Sequence, residues 1–154
     1  MILNVMVCLK EIVEQGRAFP WPRPKMCPRC KSDRVWGHGF VTAIFDGFTE
    51  HVLLRRFRCP ECGCVVKLRP DGYFSRFQAS VSTIRSRIAF RVLTGMWRGG
   101  MSRSRQWYWL SNLTKRVVAK DSLDWKGSLI RYFDDFMEKG EIPVSSLTQS
   151  ALQI

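Results

Sequence analysis

Two Cys-Pro-x-Cys motifs constrain the fold of this 154-residue chain more than any other feature. They are CPRC at Cys27 to Cys30 and CPEC at Cys59 to Cys62. Zinc takes four tetrahedral ligands, and a Cys-x-x-Cys turn, or knuckle, brings two sulfurs to one ion while backbone amides point at them. Two knuckles complete one coordination sphere. The sequence therefore predicts one structural zinc ion, bound by Cys27, Cys30, Cys59 and Cys62.

Other chemistry uses the same residues. Single Cys-x-x-Cys pairs occur as redox dithiols, and four thiolates hold iron in a rubredoxin-like centre. A basic helical region beside the knuckles has no use in electron transfer, which favours zinc.

Cys8 and Cys64 are not part of either knuckle. Cys64 lies only two residues from Cys62 in a predicted strand, so it should direct its sulfur away from the metal. We expect His38 and His51 to be surface or packed imidazoles.

The first half of the chain is rich in strand signals. Residues 34–45 and 49–59 are β-rich and are joined by Asp46-Gly47, a dipeptide suited to a tight hairpin turn, and residues 64–68 form a third short run. This pattern predicts a three-stranded zinc β-ribbon over residues 19–70, whose small core needs the ion. The apolar and charged spacing of residues 1–18 predicts an N-terminal amphipathic helix, followed by a proline-rich lead.

From Gln78 the hydrophobic period changes to about 3.6, which predicts a helical domain over residues 78–140 and an α+β protein as a whole. Three helices are expected: one from about residue 78, one that begins near Arg103 after a Ser102 cap, and one from Ser122 to Lys139. The residues expected to be buried in them are Val81, Ile84, Ile88, Val92, Trp107, Leu110, Leu113, Val117, Leu129, Phe133 and Phe136. Residues 141–154 are predicted to be a flexible tail.

The first two helices and their glycine-containing connection match the pattern of a helix-turn-helix, whose second helix enters the major groove of DNA. Arg105 and Asn112 are then expected nearest the base edges. The alternative is an ordinary helical hairpin with a solvated basic face. The predicted nucleic-acid contacts are Arg55, Arg56, Arg58, Arg85, Arg87, Arg91, Arg103, Arg105, Tyr108, Asn112, Lys115 and Arg116.

The positive charge is concentrated in the middle of the chain. The formal net charge is +12, and residues 55–120 carry 15 Lys or Arg against two acids, Glu61 and Asp71. Such a segment attracts a polyanion, and nucleic acid is the commonest one inside a cell. Since no export signal or membrane span is recognisable, we expect a cytoplasmic, nucleoid-associated prokaryotic protein that binds neither membranes nor a small-molecule substrate.

The segment WGHGFVTAIFDGFTEHVLLRRFRCPECGCVVKLRP resembles zinc-ribbon segments of bacterial insertion-sequence transposases and related small mobile-element proteins. In those proteins a proline-rich lead, here PWPRPKMCPRC, precedes the first knuckle, an HG pair follows it, and a helix-turn-helix comes later. The resemblance covers about two thirds of the chain, taking in the helices from 78 to 118. It implies duplex DNA as the partner, bound at element ends, with the same four cysteines as zinc ligands.

The chain departs from a full transposase in one respect. Such an enzyme has a catalytic domain with three well-separated carboxylates that hold two metal ions. Here Asp134, Asp135 and Glu138 cluster on one predicted helix, as in a solvated acidic face. We therefore expect a non-catalytic accessory or recognition component, with catalysis left to a separate transposase.

Two other functions remain open. An RNA-binding zinc ribbon could use the same charge and stack aromatic side chains on unpaired bases. A protein-interaction adaptor could dock on a larger nucleic-acid enzyme through Trp97, Trp107, Trp109 and Trp125, although most of these are expected in the core.

Overall fold

The computed structural model describes residues 1–120 and 128–146, and it is an α+β protein. Within these residues the chain has one four-stranded mixed sheet and four α-helices. It divides into two compact units, residues 1–80 and residues 81–154. Each unit is described by itself below.

The first unit is built on the sheet, whose strand order is β1-β4-β3-β2. The strands are β1 (Ile2–Val5), β2 (Trp36–Ala43), β3 (Val52–Arg58) and β4 (Val65–Pro70). The β2–β3 and β3–β4 pairs are antiparallel, whereas β1 and β4 are parallel. The three predicted strands are present, but the prediction of a three-stranded ribbon was wrong because β1 adds a fourth strand.

The N-terminal segment is not the single helix that the sequence predicted. Residues 2–5 form β1, and only Leu9–Gln15 form a helix, α1, followed by a 3₁₀ turn at Gly16–Ala18. Strand β1 lies along β4, with Leu3 opposite Leu68. Its hydrogen-bonding partner lies more than 60 residues away in the sequence, so local periodicity gave no sign of the pairing.

The β2–β3 connection is longer than the predicted tight turn. Asp46 and Gly47 do sit at the centre of a turn, in which the Phe48 amide donates to the Phe45 carbonyl at 3.3 Å and Gly47 has φ 86°. This turn lies inside a connection that spans residues 44–51. Phe45 is fully buried, so the connection contributes to the core.

Two groups of buried side chains hold the first unit together. One lies behind the knuckles and includes Val35, Phe57, Val66 and Leu68. The other joins α1 to the sheet. Its members are Leu9, Ile12, Phe19, Phe45, Val52 and Leu54. Because the first group also contains Cys27 and Cys59, the knuckles are part of the core.

The second unit contains α2 (Val81–Thr94), α3 (Arg103–Lys120) and α4 (Leu129–Glu138). The predicted cap at Ser102 is confirmed, because its Oγ accepts a hydrogen bond from the Arg105 amide at 3.4 Å. The connection between α2 and α3 spans residues 95–102. It is therefore longer than the three- or four-residue turn typical of a helix-turn-helix.

The predicted buried face of α3 was partly wrong. Leu113 and Val117 are buried as expected, but Trp107 is 58% exposed and Trp109 fills the core instead. The buried arc of the helix is therefore rotated relative to the predicted one, and it includes Asn112. Periodicity predicts that an apolar stripe exists, but two tryptophans only two positions apart, Trp107 and Trp109, leave its centre ambiguous.

The other two helices differ less from prediction. Leu129, Phe133 and Phe136 are buried on α4, and Ile84 and Ile88 are buried on α2, while Val92 is 37% exposed. The residues 122–127 of the predicted third helix lie outside the described residues.

The segment predicted as a flexible tail begins with packed residues. Val144 is fully buried, and its carbonyl accepts a hydrogen bond from Asn112 Nδ2 at 3.1 Å. Residues 147–154 lie outside the described part of the chain. Among residues 1–120 and 128–146, none of the helices combines the length and the hydropathy that a membrane crossing requires.

Candidate metal centre and basic surfaces

The four knuckle cysteines converge on one point. The sulfurs of Cys27, Cys30, Cys59 and Cys62 all lie within 4.8 Å of one another, and this is the one such cluster among the described residues. The Cys27 and Cys62 sulfurs are 3.6 Å apart, and those of Cys30 and Cys59 are 3.5 Å apart. Four sulfurs held about 2.3 Å from one tetrahedral zinc ion lie roughly 3.8 Å apart. The cluster therefore has the size of a single-ion site.

The two knuckles have the same backbone structure. In the first, the Cys27 amide donates to the Ser32 carbonyl at 2.7 Å, and the Lys31 amide donates to the Cys27 carbonyl at 2.9 Å. In the second, the Cys59 amide donates to Cys64 at 2.9 Å and the Gly63 amide donates to Cys59 at 3.0 Å. The two knuckles thus present their sulfurs from equivalent backbone positions.

Electrostatics in the cluster favour a bound cation. The hydrogen bond from the Cys30 backbone amide is the main cause that lowers the pKa of the Cys27 thiol to about 6. Burial of the thiol acts in the opposite direction. The Ser32 amide lowers the pKa of Cys30, but burial and the neighbouring sulfurs outweigh it and raise that pKa to about 12. Four adjacent sulfurs therefore do not all ionise by themselves, and a metal ion would supply the positive charge that they need.

The leftover cysteines lie outside the cluster. Cys64 is buried in the core behind the knuckles, as its position two residues after Cys62 predicted, and Cys8 is exposed. His38 is half-buried on β2 and His51 is exposed beside β3. On the solvent side of the site, Arg34 Nη1 pairs with Glu61 Oε1 at 2.9 Å and so links the two knuckle regions.

The predicted contacts in the first unit lie on β3. Arg58 is exposed, whereas Arg55 and Arg56 are half-buried. The Arg55 guanidinium lies over the Phe40 ring, 4.7 Å from its centroid. Sequence reasoning missed Arg17 and Arg23, which lie near Arg55 in the same groove, because they are far from it along the chain.

Several predicted contacts in the second unit have structural partners. Arg85 makes a two-point ion pair with Asp134, with Nε–Oδ1 at 2.8 Å and Nη2–Oδ2 at 2.9 Å. Arg87 Nη1 donates to the carbonyls of residues 98 and 99 at 2.9 and 2.6 Å, and so stabilises the α2–α3 connection. Arg91 donates to the Gly95 carbonyl and stacks on Trp97 at 4.4 Å.

The predicted nucleic-acid contacts on α3 differ in their exposure to solvent. Arg103 and Lys115 are exposed, and so is 45% of Tyr108. Arg105 lies over Trp109, and Arg116 donates from Nε to the Ser145 carbonyl at 2.8 Å. Asn112, which was expected near the base edges, is only 6% exposed and lies in the buried arc of the helix.

Comparison with protein-family models, curated proteins and solved structures finds no match to this chain.

Proposed function

We propose that this chain is a zinc-dependent DNA-binding protein, and that it serves as a non-catalytic accessory or recognition component of a transposase or mobile element. One observation carries the DNA-binding part. Helices α2 and α3 with their connection, residues 81–120, contain nine Lys or Arg and no Asp or Glu. A helical segment with one sign of charge attracts a polyanion and is the usual electrostatic footprint of a nucleic-acid-binding domain.

The exposed face of α3 is the part of this region best suited to contact DNA. It combines two cations, two aromatic rings and two hydroxyls, and its members are Arg103, Ser104, Trp107, Tyr108 and Lys115. Neither cation of this face makes a hydrogen bond or ion pair within the described residues. Exposed cations can neutralise phosphates, while a Tyr hydroxyl and a Trp N–H donate to phosphate or base edges.

Zinc is the metal that fits the cysteine cluster best. Thiolate ligands select zinc, copper(I) and iron–sulfur chemistry over hard cations, and four thiolates in a tetrahedron are characteristic of structural zinc. Four protein ligands leave no open coordination position for a substrate. Zinc would thus stabilise the first unit without taking part in a reaction.

The non-catalytic and mobile-element parts of the proposal have different support. Asp134 is held by Arg85, so this carboxylate is already neutralised by a protein cation. The acids of α4 therefore make a poor two-metal site. The mobile-element role depends on the resemblance of the knuckle segment and its proline-rich lead.

A matched pair of double variants tests the proposal. Changing Arg103 and Lys115 to Gln removes two charges from the exposed face of α3, whereas changing Arg131 and Lys139 to Gln removes two from the region of α4. Fluorescence anisotropy with a labelled 20-base-pair duplex should show a loss of affinity of about tenfold or more for the first pair only. Equal affinities for the two variants would overturn the assignment of the face.

The partner sequence needs a second experiment. Fragments of genomic DNA retained by the zinc-loaded protein should be sequenced. Enrichment of the ends of insertion elements would support the mobile-element role, whereas uniform recovery of all sequences would remove it and leave general DNA binding.

An adaptor function has one observation in its favour. Leu93 is 83% exposed, Met96 is 61% exposed, and Trp107 is 58% exposed in the same unit. Exposed apolar side chains of this size are typical of contact surfaces for other proteins. Protein capture that survives nuclease treatment and is lost in Leu93→Ser would favour this function over DNA binding.

A further inference from the structure

The first unit contains a groove of about 440 Å³ between the segment that follows α1 and the β2–β3 hairpin. We name it the ribbon groove. Three arginines line it, Arg17, Arg23 and Arg55, together with Phe40 and Phe57, and none of the described lining residues is acidic. Its volume lies within the range of small-ligand sites, and its charge selects an anion.

Two of the three groove arginines lie over aromatic rings, whereas Arg23 donates to the Val35 carbonyl. Arg55 lies 4.7 Å from the centroid of Phe40 and 5.5 Å from that of Phe57, and Arg17 lies 5.5 Å from Phe40. Among the described residues, neither Arg17 nor Arg55 has a hydrogen-bond acceptor or an ion-pair partner. A stacked guanidinium keeps its N–H edge free for the oxygens of a phosphate.

One further feature concerns the position of Arg55, and another points to a ligand. Gly37 lies directly under Arg55, since a Cβ at that position would be 2.3 Å from Arg55 Nη2. A side chain at position 37 would therefore displace the guanidinium from its observed position. Trp21 also lines the groove, and its buried Nε1 has no acceptor among the described residues. Buried N–H groups are normally paired, so an unpaired one beside an anion-selective groove is consistent with an acceptor that the ligand provides.

We propose that the ribbon groove binds one unstacked nucleotide of a single nucleic-acid strand, with its phosphate on the Arg55 edge and its base against the guanidinium planes that cover the rings. A planar base with an attached phosphate matches both halves of the lining. A duplex offers phosphates but keeps its base faces stacked, so the groove favours a single strand. The inference extends the proposed nucleic-acid function to a second site, in the other unit of the chain.

The test uses the full zinc-loaded chain and three labelled probes of equal length: a 12-nucleotide oligo(dT), the same strand with abasic sugars, and a 12-base-pair duplex. The wild type should bind oligo(dT) more tightly than the abasic strand. Arg55→Gln and Gly37→Ala should each weaken oligo(dT) binding about tenfold or more and abolish that difference, and Gly37→Ala should change duplex affinity by less than about twofold. Gly37→Ala keeps every charge and displaces only the guanidinium.

Lys10→Gln is the matched control, because it removes one exposed charge of the same unit from α1, outside the groove. It should leave all three affinities unchanged, and metal content and thermal midpoint should be the same for all variants. Single-strand binding that is unaffected by both groove variants, or equal binding of oligo(dT) and the abasic strand, would overturn the inference. If duplex binding persists in that case, the proposed function survives. Loss of single-strand and duplex binding together would also contradict a dedicated single-strand site.

Discussion

Lys31 and Gly63 occupy the same position in the two knuckles and share a left-handed backbone, with φ of 63° and 70°. Each amide donates to the carbonyl of the first cysteine of its knuckle, at 2.9 and 3.0 Å. Glycine adopts this conformation without a steric cost, whereas a residue with a Cβ is strained there. The first knuckle therefore carries a strain that the second does not.

This asymmetry predicts opposite effects of two substitutions. Lys31→Gly should raise the free energy of unfolding by roughly 0.5–1 kcal/mol, because relief of strain exceeds the added freedom of the unfolded chain. Gly63→Ala should lower it by about 1 kcal/mol or more. Urea unfolding at a fixed free zinc concentration measures both. Gly99→Ala, where φ is not positive and a Cβ would meet open space, is the control. Effects of the same sign at 31 and 63 would contradict the strain argument.

The metal centre predicts that substitutions of the six cysteines will differ in their effects on zinc binding and stability. Elemental analysis of the purified wild type should find one zinc ion per chain, and Cys30→Ser or Cys62→Ser should lower its affinity by orders of magnitude because thiolate ligands are lost. Cys64→Ala should keep the zinc but reduce stability by about 1 kcal/mol, since that side chain is buried behind the site. Cys8→Ser should change neither. Full zinc retention in Cys30→Ser would refute the ligand set.

The Arg85–Asp134 ion pair predicts a pH-dependent contribution to the stability of the second unit. The Arg85 guanidinium lowers the pKa of the Asp134 carboxyl below its usual value. Because the pKa of Asp134 is lower in the folded state, the ion pair stabilises the folded second unit at pH values above the pKa of the unfolded chain, near 4. This stabilisation is lost as the pH falls through the pKa of the folded state. Both side chains are over 40% exposed, which limits the effect to about 1 kcal/mol or less.

The corresponding measurement compares Asp134→Asn with wild type by helical circular dichroism from pH 7 to pH 3. The stability difference should be present at pH 7 and vanish toward pH 3. Glu138→Gln, an exposed acid on the same helix, should stay within about 0.5 kcal/mol of wild type at pH 7. A difference between Asp134→Asn and wild type that grows as pH falls would contradict the assigned pair.

Asn112 and Trp107 should show opposite effects on stability and on DNA binding. Asn112→Ala leaves the buried Val144 carbonyl without its partner and should cost about 1–3 kcal/mol, while the folded variant keeps its duplex affinity. Trp107→Ala should change stability by about 0.5 kcal/mol or less, because the ring is mostly exposed, and should weaken duplex binding. Thermal unfolding and anisotropy on the same samples give both quantities. Normal stability in Asn112→Ala would show that its core role is wrong.

The features that sequence predicted correctly depend on short-range chemistry. Cysteine spacing was enough to identify the four clustered thiols, and a serine before a helical pattern was enough to identify the Ser102 cap. Both are encoded within a few residues. The strands β2, β3 and β4 likewise have local signatures of β-branched residues and turns.

The features that sequence missed depend on distant partners. Strand β1 forms because β4 offers a free edge, and the Asn112 amide turns inward because the Val144 carbonyl reaches it. The ribbon groove joins Arg17 to Arg55, which lie 38 positions apart in the chain. No local sequence pattern indicates such long-range contacts. They form only when separate helices, strands and loops pack against one another.

The central claim is that a metal-stabilised chain binds duplex DNA through its positive charge. The most direct test measures the duplex dissociation constant of the zinc-loaded protein between 50 and 200 mM salt, and again after chelation. The claim predicts tight binding at low salt, a fall in affinity of about 10²-fold or more across the series, and a further loss after chelation if the first unit contributes to binding. Absence of duplex binding at 50 mM salt, or an affinity that does not change with salt, would contradict it.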